Sequence, residues 1–146
     1  PQTWEDPALK SAEGYGGDND PLDVIEVGDG PLPMGSTTPV VVLGSLELID
    51  EGETDHKIIA LRASDPRANS VRSLADLERS SPGLTARLVD WLKMYKTSDG
   101  KGITQLANNE RPTSASEAEA IIAECEQRWR ALLAAPNARP EFWLPH

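Results

Sequence analysis

PVVVLGSLELI (Pro39–Ile49) and KIIALR (Lys57–Arg62) decide the fold of this chain. Both runs are rich in β-branched and aliphatic residues, which suit a pleated, half-buried surface. Between them stands Asp50-Glu51-Gly52-Glu53-Thr54-Asp55, a polar stretch containing a glycine. A short Gly-containing connection between two such runs predicts a hairpin. Gly44, inside the first run, marks an expected bulge. Upstream, Asp23-Val24-Ile25-Glu26-Val27 reads as a shorter strand, and a loop opens at Gly28. Residues 1–20 are punctured by Pro7, Gly14, Gly16 and Gly17 and read as irregular.

Downstream the spacing changes to helical. Ser73 is expected to cap a short helix holding Leu74 and Leu77. Ser81-Pro82 reads as a cap with proline at the first helical position, followed by Leu84, Leu88, Leu92 and Tyr95. Ser116 and Glu119 read as a capping box for a last helix. Its stripe is Ala118, Ile121, Ile122, Cys125, Trp129, Leu132 and Leu133, ended by Pro136 and Pro140. Phe142-Trp143-Leu144 then forms an apolar tail, expected to cover the helix or to meet another subunit. Strands first and helices afterwards predict an α+β fold, an antiparallel sheet or barrel flanked by helices. Three strands are too few to close a barrel, so further strands are expected upstream of Pro1 and the barrel is expected to be incomplete here. A start at Pro1, without Met or leader, fits a processed chain, an expression product or a fragment.

Composition narrows the function. The 146 residues suit one domain, and 38 % of them are hydrophobic, too many for a disordered tail. No run approaches the roughly 20 apolar residues of a membrane span. A formal net charge of −10 argues against nucleic-acid binding, which needs Lys and Arg on phosphate, and against anionic membranes. The single cysteine, Cys125, forbids an internal disulfide and is expected in the core.

The acid is concentrated. Asp18-Asn19-Asp20-Pro21-Leu22-Asp23 places three carboxylates within six residues. Extended backbone projects Asp18 and Asp20 to one side, and Pro21 restricts the turn that brings Asp23 back toward them. Hairpin closure brings Asp50 and Asp55 to one end of the sheet, and alternation puts Asp55, Lys57 and Ile59 on a common face. Carboxylates this close repel one another unless a cation offsets them, and Mg²⁺ prefers oxygen ligands. Aspartates with lysines also suit phosphoryl chemistry, in which cations and Lys hold phosphate oxygens and a carboxylate orients water. Taken alone, a DxDxxD run is more often a solvated loop. No apolar strand precedes Asp18, as a nucleophilic aspartate of the DxD phosphatase kind would need, and an EF-hand's spaced Gly and Glu are lacking.

The whole pattern resembles family I soluble inorganic pyrophosphatases of the eukaryotic type. The resemblance is carried by Pro1-Gln2-Thr3-Trp4-Glu5-Asp6-Pro7, Gly17-Asp18-Asn19-Asp20-Pro21-Leu22-Asp23-Val24, Asp50-Glu51-Gly52-Glu53-Thr54-Asp55 with Lys57, and Tyr95-Lys96 before Asp99-Gly100-Lys101. It implies an OB-like barrel, and it makes residues 1–146 the C-terminal larger part of a longer pyrophosphatase domain. The implied reaction is Mg²⁺-dependent hydrolysis of pyrophosphate to two phosphates by direct attack of metal-activated water. Several Mg²⁺ per site are implied, with Mn²⁺ an option. Asp18, Asp23 and Asp55 would bind the metals that activate water, with Asp23 bridging two. Asp50 joins Asp55 for the metals that arrive with substrate. Asp20 would be the general base, and Lys57, Tyr95 and Lys96 would grip phosphate oxygens. Residue spacing alone would favour packing for Tyr95. Lys101 is read equally as a site lysine or a turn lysine. His56, where relatives commonly carry an aromatic, points away from the site face by alternation and is expected to be solvated or packed. The resemblance also implies a homo-oligomer, a dimer foremost, and a cytoplasmic location with an organellar one as alternative. The rival readings are a non-catalytic divalent-cation-binding module and an acidic interaction domain.

Overall fold

The computed structural model describes residues 2–135. The expectations for Pro1, for Pro136 and Pro140 as helix terminators, and for the Phe142-Trp143-Leu144 tail lie outside the described residues.

The two deciding runs form strands β3 (Val40–Asp50) and β4 (Glu53–Arg62), paired antiparallel. Their turn is only Glu51-Gly52, with φ of 50° and 90°. Positive φ at both central positions matches the right-handed twist of a hairpin, and glycine adopts it without steric cost. The register slips between Val42 and Gly44, the expected bulge. A Cβ on Gly44 would lie 2.4 Å from the Thr113 carbonyl oxygen and 2.6 Å from Leu74 Cδ1, so close packing admits only glycine there.

Two upstream strands, β1 (Gly16–Gly17) and β2 (Asp23–Glu26), add to the free edge of β4 in parallel. The antiparallel expectation is corrected here: the sheet is mixed. The N-terminal stretch read as irregular contributes β1. Two further short strands, β5 (Gln105–Leu106) and β6 (Thr113–Ser114), pair with β3. The resulting six-stranded sheet is an open path among the described residues, so the fold is α+β with an unclosed sheet, as expected.

Helix α1 (Leu74–Ser80) is capped by Ser73 as read. Helix α2 (Leu84–Met94) starts later than Ser81-Pro82 predicts: Gly83, with φ of 76°, is its N-cap, and Ser81 instead closes α1. Helix α3 (Ala115–Ala134) starts earlier than predicted. Its capping box is Ser114 with Glu117, not Ser116 with Glu119. Ser114 is also in β6, so the strand's end fixes the helix start.

Helices α1 and α2 cover one face of the hairpin. Leu43, Leu46, Leu48, Ile59 and Leu61 meet Val71, Leu77 and Leu92 in the main core. Helix α3 packs on β3 and lies beside the N-terminal segment, where the Trp4 N–H donates to the Cys125 carbonyl at 3.1 Å. Ala118, Cys125 and Leu132 are its buried residues, whereas Leu133, assigned to the stripe, is exposed.

Candidate active site

One face of the hairpin is divided along its length. Register pairs Asp50 with Glu53, Leu48 with Asp55, and Leu46 with Lys57, so these side chains share a side with Ile59 and Leu61. At the helix-covered end the face is hydrocarbon. At the turn end it opens into a cleft of about 650 Å³. Asp18, Asp20, Asp23, Asp50, Asp55, Lys57, Tyr95 and Lys96 all line it. All eight residues chosen from the sequence therefore converge. Glu53, Pro21 and Leu22 line it too and were not anticipated.

The loop 17–22 is stapled to the N-terminal segment. The Glu5 N–H donates to the Asp20 carbonyl at 2.9 Å, and the Asn19 N–H returns to the Glu5 carbonyl at 3.0 Å. Trp4 Nε1 donates to Asn19 Oδ1 at 3.0 Å, and the Leu22 N–H to Thr3 Oγ1 at 3.1 Å. A Cβ on Gly17 would stand 2.5 Å from the Glu5 carbonyl, so glycine is what lets the two segments touch. Inside the loop the Asp20 N–H donates to Asp18 Oδ1 at 2.9 Å, an Asx turn that fixes Asp18 and leaves Asp20 exposed.

Lys57 Nζ contacts Asp23 Oδ2 at 2.5 Å and Asp55 Oδ2 at 2.7 Å. Burial alone would lower its pKa, but the hydrogen bonds to Asp23 and Asp55 outweigh burial and hold the ammonium charged. Asp23 opens β2 opposite Lys57 and is itself mostly exposed. Lys96 follows α2 and donates to Asp50, a hydrogen bond that raises its pKa. Tyr95 packs against the core and stacks near Trp91, with ring centroids 5.4 Å apart. It both packs and faces the cleft. Lys101 pairs instead with Glu51 at 2.8 Å, both exposed, and lines a neighbouring cleft with Lys96 and Asp50.

Glu5 was quoted in the motif without a role, yet it completes the densest acid group. Glu5, Asp18 and Asp55 each offer an oxygen within 4.8 Å of the others. Burial pushes the Asp18 carboxyl up to about 7; the Asp20 N–H opposes this, and the Glu5 and Asp55 charges add to it. Burial likewise raises Glu5, against the hydrogen bond from His56. Three oxygen donors that cannot all ionise comfortably without a positive charge fit a hard divalent cation. His56 does face away from the cleft, as alternation requires, but it is not idle: its Nδ1 lies 2.7 Å from Glu5 Oε1. Burial would lower its pKa, and the hydrogen bond to Glu5 raises it above the ordinary value. The sequence signal for Glu5 was only its place in the Trp4-Glu5-Asp6-Pro7 motif. Cys125 is buried, which pushes its thiol up to about 12 and leaves it unreactive.

An α+β chain whose carboxylate oxygens could hold a cation beside two lysines has a donor set that suits metals and phosphate anions. A family model described as Inorganic pyrophosphatase matches residues 1–130. An inorganic pyrophosphatase of Drosophila melanogaster is 46 % identical over 134 residues, covering 91 % of this chain and 40 % of the relative. The structure of inorganic pyrophosphatase from Schistosoma japonicum superposes with a TM-score of 0.88 at 41 % identity, over 90 % of this chain and 47 % of that one. An N-terminally truncated Trypanosoma cruzi vacuolar soluble pyrophosphatase, solved in complex with PPi, gives 0.89 at 32 % identity, over 92 % and 51 %. The chain belongs to the inorganic pyrophosphatase family. It spans about half or less of the length of these relatives. No described helix is long and apolar enough to cross a membrane.

Proposed function

We propose that this chain forms the cation-holding part of a divalent-metal-dependent inorganic pyrophosphatase, with pyrophosphate as substrate and two phosphates as products. The observation that carries it is the cleft of about 650 Å³ lined by five aspartates, two lysines and a tyrosine, backed by Glu5 within 4.8 Å of Asp18 and Asp55. Family membership and the PPi complex of the Trypanosoma cruzi relative support the substrate.

The roles follow from chemistry. Asp18, Asp23, Asp50 and Asp55, with Glu5, are the residues that would hold Mg²⁺, or Mn²⁺ with the same donors. Bound cations neutralise the carboxylates, hold phosphate oxygens and make water more acidic. Asp20, exposed at the cleft and free of a lysine partner, takes the proton of the attacking water. Water oxygen bonds to one phosphorus, the bridging P–O bond breaks, and the departing phosphate keeps the electron pair. Lys57, Lys96 and Tyr95 donate to phosphate oxygens and stabilise the charge that builds on the leaving group. A homodimer and a cytoplasmic location complete the proposal.

Phosphate release from pyrophosphate, with and without Mg²⁺, tests it on wild type and Asp20→Asn. The proposal expects Mg²⁺-dependent turnover in wild type and a loss of about 10²–10⁴-fold in the variant. No Mg²⁺-dependent turnover in wild type would end the enzyme assignment. Unchanged turnover in Asp20→Asn would remove the base from Asp20.

A further inference from the structure

β4 carries two strands on one edge, β1 against Glu53 and Thr54 and β2 against Lys57 to Ala60. Between these, at Asp55 and His56, no described strand covers that edge. The aspartate loop departs from the sheet at this point, and the His56 N–H faces the gap. A buried N–H without an acceptor costs about 1–3 kcal/mol, so something must take its place.

Glu5 does so with its side chain. Its Oε1 accepts from the His56 backbone N–H at 3.2 Å, and Oε2 from the same N–H at 3.4 Å. Oε1 also meets His56 Nδ1 at 2.7 Å. Glu5 is only 4 % exposed. The same carboxylate offers an oxygen to the group formed with Asp18 and Asp55. Its backbone is already tied to the loop at Asn19 and Asp20. What remains to be fixed is the side-chain direction. Repulsion from two neighbouring carboxylates favours rotation away from them, and the backbone N–H alone, at 3.2 Å and 3.4 Å, is a loose restraint. The shorter bond comes from the ring. With Trp4 and Cys125 the ring lines a cavity of about 310 Å³ on the other face of the strand, which leaves room for a ring there.

We propose that His56 is a positioning residue of the cation site: its ring N–H fixes the Glu5 carboxylate beside Asp18 and Asp55, so that a divalent cation meets a preformed donor set. The proposal rests on the cation-dependent function above. Groups that orient a metal's ligands commonly change affinity 10–100-fold when removed.

Calorimetric titration of the full chain with Mg²⁺ tests it, alongside thermal melts without metal. His56→Phe keeps a ring but loses the donor, and Mg²⁺ binding should weaken about tenfold or more. His56→Asn puts an amide N–H near the place of Nδ1 and should recover most of that loss. A merely structural histidine would lower the metal-free melting temperature in both variants and leave Mg²⁺ affinity alone. Should the phenyl ring not fit the rear cavity, His56→Leu is the second donor-free variant. Wild-type affinity in a folded donor-free variant overturns the proposal. So does equal weakening in His56→Asn and His56→Phe, because the loss would then follow volume rather than the hydrogen bond. If wild type itself takes up no Mg²⁺, the cation function fails and the positioning role falls with it, a result distinct from the two others.

Discussion

The two ends of one face of β4 carry the same alternation and opposite chemistry. Ile59 and Leu61 are 0 % exposed beneath α1 and α2. Asp55 and Lys57, four and two residues nearer the turn than Ile59 on the same face, are almost as buried, at 6 % and 8 %. Burying hydrocarbon stabilises directly, whereas burying charge is tolerated only when it is paired. Lys57 supplies that pairing for Asp55 and His56 for Glu5, whereas Asp18 has no ion pair among the described residues and its carboxyl is pushed up to about 7 by burial. The hydrocarbon end therefore serves stability, and the charged end gives up stability for a site.

The largest expected effect breaks the hydrocarbon end. Leu61→Ala should cost about 2–5 kcal/mol in urea unfolding, while Mg²⁺ affinity in the folded chain stays within about twofold. The charged end should answer in the opposite way. Asp55→Asn is expected to weaken Mg²⁺ binding about a hundredfold by calorimetry and to cost less stability than Leu61→Ala, since Lys57 keeps Asp23. A stability loss larger than that of Leu61→Ala would erase the division between the two ends.

Proton competition comes next. With the Asp18 carboxyl at about 7, Mg²⁺ must displace a proton below that pH. Affinity should fall by up to about tenfold per pH unit as pH drops below 7 and level off above it. The metal-free chain should show the matching sign. Asp18 binds its proton more tightly folded, at about 7, than unfolded, near 3.8. Its contribution to stability is therefore full below pH 3.8 and lost as pH rises through 7. Saturating Mg²⁺ should reverse that trend in melts recorded across pH. The smallest effect concerns the turn that joins the two strands. Gly52→Ala, at φ of 90°, should cost about 1–2 kcal/mol and leave the pairing of Asp50 with Glu53 intact by hydrogen exchange.

The hairpin, its bulge and the common face of Asp55 and Lys57 were legible because period-two alternation is a local property of the chain. The convergence of Asp18, Asp20 and Asp23 was legible from the short DxDPxD spacing. The strands β1, β5 and β6 were not. Each has two residues, too few for any period, and each exists only because β3 or β4 offers an unpaired edge. The starts of α2 and α3 shifted for a similar reason. Gly83 and Ser114 cap them where the preceding helix or strand ends, and the competing Ser81 and Ser116 signals were locally just as good.

By itself the sequence determined the hairpin and the helical second half, which follow from spacing along the backbone, and its motifs, through their family resemblance, picked out the eight residues that meet in the cleft. Only the tertiary structure decided the parallel joining of β1 and β2 and the entry of Glu5 into the site. It also made His56, on the opposite side of its strand, the partner of that carboxylate. The last two depend on a gap in a sheet edge that the Glu5 side chain fills. Such a gap is a relation between segments about 50 residues apart, and no local pattern encodes it.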